Sequence, residues 1–146
     1  MKTLLQIISA VLLVSALCAC SSGKTGAFKS YVASSFPASL EARIAEDLAD
    51  ELAGIYPPGH TSLHLALAGT SDNLGQSLEQ SLRVRGFSIA DSPGSGVKTV
   101  AYVLDKIEDS YWYTRLTVSG GLVVTRTYSL SGDVLEAQAS ARTGKE

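Results

Sequence analysis

From residue 99 to residue 130 the chain alternates apolar and polar side chains with a period of two, interrupted only by short polar or glycine-containing turns. Successive side chains of a strand point to opposite faces, so this period excludes helix and requires strands with one face buried. Residues 99–107 form the first such strand, with Val100, Tyr102 and Leu104 on one face and Ala101 and Val103 on the other. Glu108-Asp109-Ser110 turns the chain into a strand over 111–118, and Ser119-Gly120-Gly121 makes a tight turn into another over 122–130. Ser131-Gly132-Asp133 turns again, and residues 134–139 supply a last edge strand. Such a run folds locally into a meander of three or four antiparallel strands, which then needs a cover for its apolar face.

The cover lies upstream. Leu40, Ile44, Leu48, Leu52 and Ile55 recur at helical spacing over residues 39–55, between Pro37 and Gly54 with Pro57-Pro58-Gly59 beyond. Glu41, Glu46, Asp47, Asp50 and Glu51 occupy the rest of that helix with Arg43, which predicts a solvated acidic face. Leu63, Leu65 and Leu67 alternate as a short strand, and Thr70-Ser71-Asp72 offers N-cap chemistry to a second helix reaching Arg85. Leu74, Leu78 and Leu82 form its stripe, Gly86 ends it, and residues 87–90 resume as strand. Strand, helix and strand within this length predict a right-handed crossover between parallel strands, followed by a flexible loop over 91–96. The expected fold is α+β, with two amphipathic helices packed on one face of a mixed, mainly antiparallel sheet of about five strands. A single domain over residues 36–146 accommodates all of it.

Composition narrows what this domain does. With 45% hydrophobic residues the chain is not disordered, and 12 basic against 14 acidic residues create no field for nucleic acid. Direct nucleic-acid binding is therefore not expected. His60 and His64 would point the same way from a strand, but no third ligand accompanies them, so no metal site is expected. No serine sits in a Gly-x-Ser-x-Gly elbow, and Asp105, Glu108 and Asp109 read as turn residues. Gly23-Lys24-Thr25 has no preceding strand or earlier glycine, and residues 93–99 lack the adjacent Gly-Lys of a phosphate loop. Neither catalytic residues nor a cofactor are expected, and the chain does not read as an enzyme. Tyr111-Trp112-Tyr113 is the one aromatic cluster, near Arg115 and Arg126. These side chains suit cross-strand pairing within the sheet, or a contact with a protein partner.

The N-terminus sets the compartment. Lys2 precedes an apolar run over residues 4–17, 14 residues long, too short for the ~20 that span a bilayer and matched to a signal peptide. Leu17-Cys18-Ala19-Cys20 follows and resembles the bacterial lipobox, with leucine three residues before Cys20 and a small residue directly before it. Cys18 fails that pattern because Leu17 precedes it. The expected division is a signal peptide over 1–19, then lipidated Cys20 and a Ser/Gly/Ala/Lys-rich flexible tether over 20–35, which reaches ~50 Å if extended. The resemblance to lipoproteins implies several acyl chains on Cys20, palmitate among them, and durable membrane anchoring. Ser21 after the cysteine resembles outer-membrane sorting, with the domain facing the periplasm.

A series of short motifs then carries a family likeness: Gly54-Ile55-Tyr56-Pro57-Pro58, Leu82-Arg83-Val84-Arg85-Gly86-Phe87, Tyr102-Val103-Leu104-Asp105, Tyr113-Thr114-Arg115-Leu116-Thr117-Val118 and Arg126-Thr127-Tyr128. In this order, behind a lipobox, they resemble the TrbH family of conjugal transfer lipoproteins. The segment from Glu136 to Arg142 departs from the family, which usually has a tryptophan there. The resemblance implies a structural or assembly component of a mating-pair-formation apparatus, a type IV secretion system that exports plasmid DNA. It implies contacts with other subunits of that complex and carries over only Cys20 as a functional residue. The runner-up is an envelope-assembly or pilotin-like lipoprotein unrelated to conjugation.

The two cysteines are distinguished by substitution. Cys20→Ser should abolish lipid labelling and leave the precursor unprocessed, whereas Cys18→Ser should process normally; metabolic labelling with palmitate and a gel-mobility assay read both.

Overall fold

The computed structural model describes residues 28–144. In chain order these form β1 (Tyr31–Val32), α1 (Ala38–Ala53), a 3-10 turn (Pro58–His60), β2 (Ser62–Leu65), α2 (Asn73–Val84), β3 (Ser88–Ile89), β4 (Val97–Glu108), β5 (Tyr111–Val118), β6 (Leu122–Ser131) and β7 (Val134–Thr143). One open mixed sheet runs β3-β2-β4-β5-β6-β7, with β1 also paired to β4. The α+β class is as expected, but the described residues hold seven strands rather than about five. No helix among them is long and apolar enough to cross a membrane.

The antiparallel half follows the sequence period. β4 pairs with β5 and β5 with β6 in the register set by the turns, so Val100, Tyr102 and Leu104 align with Val118, Leu116 and Thr114 on one face. At the β5–β6 turn Gly120 and Gly121 have φ of 103° and 100°, a region open to glycine without strain. β7 extends to Thr143, well past the expected residue 139, and a bulge on β7 shifts its register against Thr127 and Tyr128. That strand is almost wholly exposed, so its local pattern carries no apolar period by which to read its length.

The parallel half holds the larger departures. β2 and β3 are parallel, as the strand–helix–strand unit predicted, but β2 is also parallel to β4 over Ser62–Leu65. Beyond Val100 the same edge of β4 is taken by β1, which pairs Tyr31 with Val103 and Val32 with Leu104. At the junction, the Tyr102 N–H donates to the Ser30 Oγ at 2.9 Å, and the Ala33 N–H donates to Leu104 O at 2.9 Å. The expectation of a tether through residue 35 therefore fails for residues 30–33, where Ser30 and Ala33 are buried. Two residues are too short for any periodicity. What recruits them is a central strand with unsatisfied backbone groups, whose burial unpaired is costly.

Both helices lie on the face of Tyr102 and Tyr128. Ile44, Leu48 and Leu52 from α1 and Leu74, Leu78 and Leu82 from α2 are fully buried, and they pack with Val100, Leu104, Leu116 and Val124. Phe36, just before α1, meets Trp112 edge-on with ring centroids 4.9 Å apart and planes at 80°. The opposite face of the sheet carries Tyr31, Val103, Tyr113, Arg115 and Thr125, and no helix among the described residues lies over it.

Leu48→Ala or Leu78→Ala, each in the middle of a buried stripe, should lower stability by ~2–5 kcal/mol, measured as a shift in urea midpoint at unchanged slope.

Candidate functional site

The N-terminus of α2 is where three parts of the chain meet. Asp72 is the N-cap: its Oδ1 accepts from the Gly75 N–H at 2.9 Å and its Oδ2 from the Ala68 N–H at 2.7 Å. The Tyr102 hydroxyl, from the middle of β4, donates to the same Oδ2. Burial and this bond to Asp72 together push the Tyr102 hydroxyl far up, so it remains a donor. Ser71, offered by the sequence as cap chemistry, is exposed, and the cap is Asp72 alone. Gly75, in the first turn of the helix, has no room for a side chain. A Cβ there would run into the Tyr102 hydroxyl, with Asp72 Oδ2 and Leu67 Cδ2 at 2.7 Å.

Beside this cap lies a cleft of about 450 Å³, lined by Ala33, Ser34, Glu41, Thr70, Ser71 and Asn73 among others. Glu41 reaches it from the first turn of α1 and is only 8% exposed. Its pKa is raised, by burial first and by the Asp72 charge second, with the Leu74 N–H opposing. The Oε2 is buried and has no hydrogen-bond partner.

The solvated acidic face that the sequence suggested holds for Glu46, which is exposed, while Asp47, Asp50 and Glu51 are drawn into pairs. Asp50 pairs with Arg85 at 2.7 Å, a bond that holds the Asp50 carboxyl below its usual range. Asp47 accepts from the Tyr128 hydroxyl at 2.6 Å, and Arg126 Nε lies 2.6 Å from the same Oδ2 without the alignment of a hydrogen bond. Glu51 holds Arg126 through one oxygen and Arg142 through the other, the latter at 2.7 Å. Burial disfavours the Arg126 charge, yet Asp47, Tyr128 and Glu51 outweigh it and raise its pKa. Burial and the bond to Asp47 likewise raise Tyr128. This seam fastens α1 to β6 and β7. Sequence pattern missed it because the partners are 75 to 91 residues apart.

The aromatic cluster divides by face. Tyr111 is exposed, Tyr113 is half-buried, and both share the uncovered face with Arg115. Trp112 is 3% exposed in the core, which corrects its candidacy as a partner contact. Arg126 also leaves that group, since it faces the helices. Tyr31, 52% exposed, joins it through the pairing of β1 with β4, and no local signal announced that. His60 is exposed at the end of the 3-10 turn, while His64 sits on β2 with Nδ1 3.1 Å from Ala90 O. Among the described residues no three His, Cys, Asp or Glu side chains converge on a metal position. Asp105 and Asp109 bond locally, to the Lys106 N–H at 2.8 Å and the Lys106 ammonium at 3.4 Å. Cys20 and Gly23-Lys24-Thr25 lie outside the described residues.

The family model described as conjugal transfer protein TrbH matches residues 22–144. The chain belongs to the TrbH family. It is thus a conjugal transfer protein, as the motif series implied. No curated protein and no solved structure matches it. In this TrbH domain the motifs mark structural joints: residues 54–58 end α1, Arg85 clamps Asp50, Tyr102 bonds the Asp72 cap, and Arg126 and Tyr128 form the ionic seam. The divergent segment from Glu136 to Arg142 lies within β7.

Two substitutions test the TrbH cap. Helix propensity alone makes Gly75→Ala stabilising by about 1 kcal/mol, but the crowding at Tyr102 predicts a loss of ~1–3 kcal/mol, read by thermal melting. For Glu41, a folded-state pKa above 4.5 means that the unfolded chain gives up the proton first, so stability falls as pH rises past that value. Glu41→Gln should raise the melting temperature at about pH 7, with the gain vanishing near about pH 4.

Proposed function

We propose that this TrbH protein is an outer-membrane lipoprotein, held through Cys20 with its domain in the periplasm, that serves as a structural or assembly component of a conjugative type IV secretion apparatus. The single observation that carries the role is how the charged side chains are used. Asp47, Asp50, Glu51 and Asp72 are committed to arginines, tyrosines and a helix cap, and these bonds hold two helices on a sheet. Such a domain is built to present surfaces in fixed geometry, not to turn over a substrate. The lipobox at Leu17-Cys18-Ala19-Cys20 supports the anchor, and membership of a conjugal transfer family supports the apparatus.

The surface we assign to subunit contact is the uncovered sheet face, through Tyr31, Tyr111, Tyr113 and Arg115. Tyrosine and arginine are the residue types that dominate interface energetics when they become desolvated. The acidic balance of the chain gives that face no pull toward nucleic acid.

A chain exported by a cleavable signal peptide and lacking residues 1–20 should fold normally but support plasmid transfer about tenfold less or worse, because anchoring raises its effective concentration at the apparatus. Tyr111→Ala combined with Tyr113→Ala should lower transfer without changing the circular dichroism spectrum. Full transfer by the unanchored chain would overturn the scaffold assignment.

A further inference from the structure

The strand register lays out the uncovered sheet face in four rows that cross the strands. Ala101, Thr117 and Val123 stand side by side in the first, and Tyr111 with Ser129 in the fourth. In the second row Arg115 lies beside Val103, and β1 adds Tyr31 to its end. In the third Tyr113 lies beside Asp105. Short side chains therefore fill the first row, while tall aromatic rings stand in the third and fourth. The two middle rows carry one charge of each sign. Arg115 is exposed and, among the described residues, has no partner. Asp105 uses one oxygen to accept from the Lys106 N–H at 2.8 Å and keeps the other free.

Such a face complements itself. A half-turn about a line across the strands, between the second and third rows, lays one copy over another with each strand above its own equivalent. The first row then meets the fourth, so Tyr111 of one copy stands over Thr117 of the other and the tall row fills the short one. The second row meets the third, so Arg115 of one copy reaches Asp105 and Tyr113 of the other, and the same contact recurs in return. Glu136, in the fourth row on β7, faces Thr143, so no like charges oppose each other. The area is also adequate. Strands β4 to β7, of 8 to 12 residues and ~4.8 Å apart, together with β1 offer roughly 600–700 Å² per copy. Two copies then bury roughly 1,200–1,400 Å², within the span of specific interfaces.

We infer that a second copy of this chain covers the open sheet face, the two sheets packing as a sandwich about a two-fold axis that crosses the strands between Val103 and Asp105. Sheets packed ~10 Å apart in this way bury the tyrosine rings against threonine and alanine and shield two Arg115–Asp105 pairs from water. The axis runs from β7 toward β1, so both copies present Ser30, and the chain leading back to Cys20, at the same end. Two chains anchored in one leaflet require that arrangement. The inference names the partner for the subunit contact proposed above, and its place in the apparatus rests on that reading.

The test uses the full processed chain in detergent, its mass read by sedimentation equilibrium at matched detergent density. The native chain should be a dimer that dissociates on dilution. Arg115→Asp and Asp105→Arg each oppose like charges across the axis and should weaken the dimer about tenfold or more. Both substitutions in one chain should restore it, because the contact is reciprocal. A native chain monomeric at every concentration, or a double variant as weak as the single ones, would overturn the second copy. The native mass decides the question even if a variant fails to fold. Differently tagged chains bearing Val123→Cys and Ser129→Cys should be joined through these positions by a short bismaleimide. Val123→Cys should not join to itself, since equivalent first rows lie ~20 Å apart in the sandwich; efficient joining there would overturn the axis. Plasmid transfer separates this inference from the reading it rests on. Lost transfer in Arg115→Asp alongside a monomeric native chain gives the face to a different subunit and overturns the second copy. A native dimer, with full transfer by its weakened single variants, supports the second copy and overturns the role of this face in the apparatus.

Discussion

The bond from the Tyr102 hydroxyl to Asp72 is the joint on which the two halves of this fold meet. Asp72 caps α2, ties down the loop after β2 through Ala68, and receives a donor from the middle of the central strand. The backbone of that same Tyr102 is satisfied by Ser30, at the place where β2 ends along β4 and β1 begins. One residue thus connects the N-terminal strand, the parallel pair, the second helix and the antiparallel meander. Its burial makes each of these bonds compulsory, since a buried polar group left unpaired forfeits more than the bond is worth in water. Gly75 is part of the same arrangement, because any larger residue would displace the hydroxyl.

The first helix is held differently. Its apolar stripe is buried in the ordinary way, but its carboxylates reach past the core edge to arginines on α2, β6 and β7. Arg126 and Glu51 are both largely shielded from solvent, at 14% and 12% side-chain exposure, so their attraction is weakly screened and sets the position of α1 across the sheet. Exposed pairs such as Arg83 with Glu79 contribute little by comparison. The result is a sheet with one face locked under two helices and the other left open with tyrosines on it.

That asymmetry is what links fold to role. Among the described residues, the domain has one core under two helices and a sheet face on the other side that carries Tyr31, Tyr111 and Tyr113. The long β7 edge, bulged opposite Thr127 and Tyr128, closes the sheet on the far side.

How much of this was legible follows from how local each cause is. Strands β4 to β6, their glycine turns, and the two leucine stripes announce themselves, because period and turn chemistry act between residues a few positions apart. The lipobox and the TrbH motif series are also matters of linear order. The pairing of β1 with β4, the burial of Trp112 against Phe36, and the choice of Asp72 over Ser71 as cap depended on surroundings supplied from distant segments. So did the reach of β7, since an exposed edge has no apolar alternation to reveal it. The acidic face of α1 shows the limit most plainly: Asp47, Asp50 and Glu51 look like any solvated helix surface in the sequence. Linear order determined the two helices and strands β4 to β6, and which carboxylates lie on α1. Only the tertiary structure decided that Asp47, Asp50 and Glu51 would be paired with arginines 35 to 91 residues away while Glu46 stays exposed, because desolvation and Coulomb attraction depend on distance in space rather than along the chain.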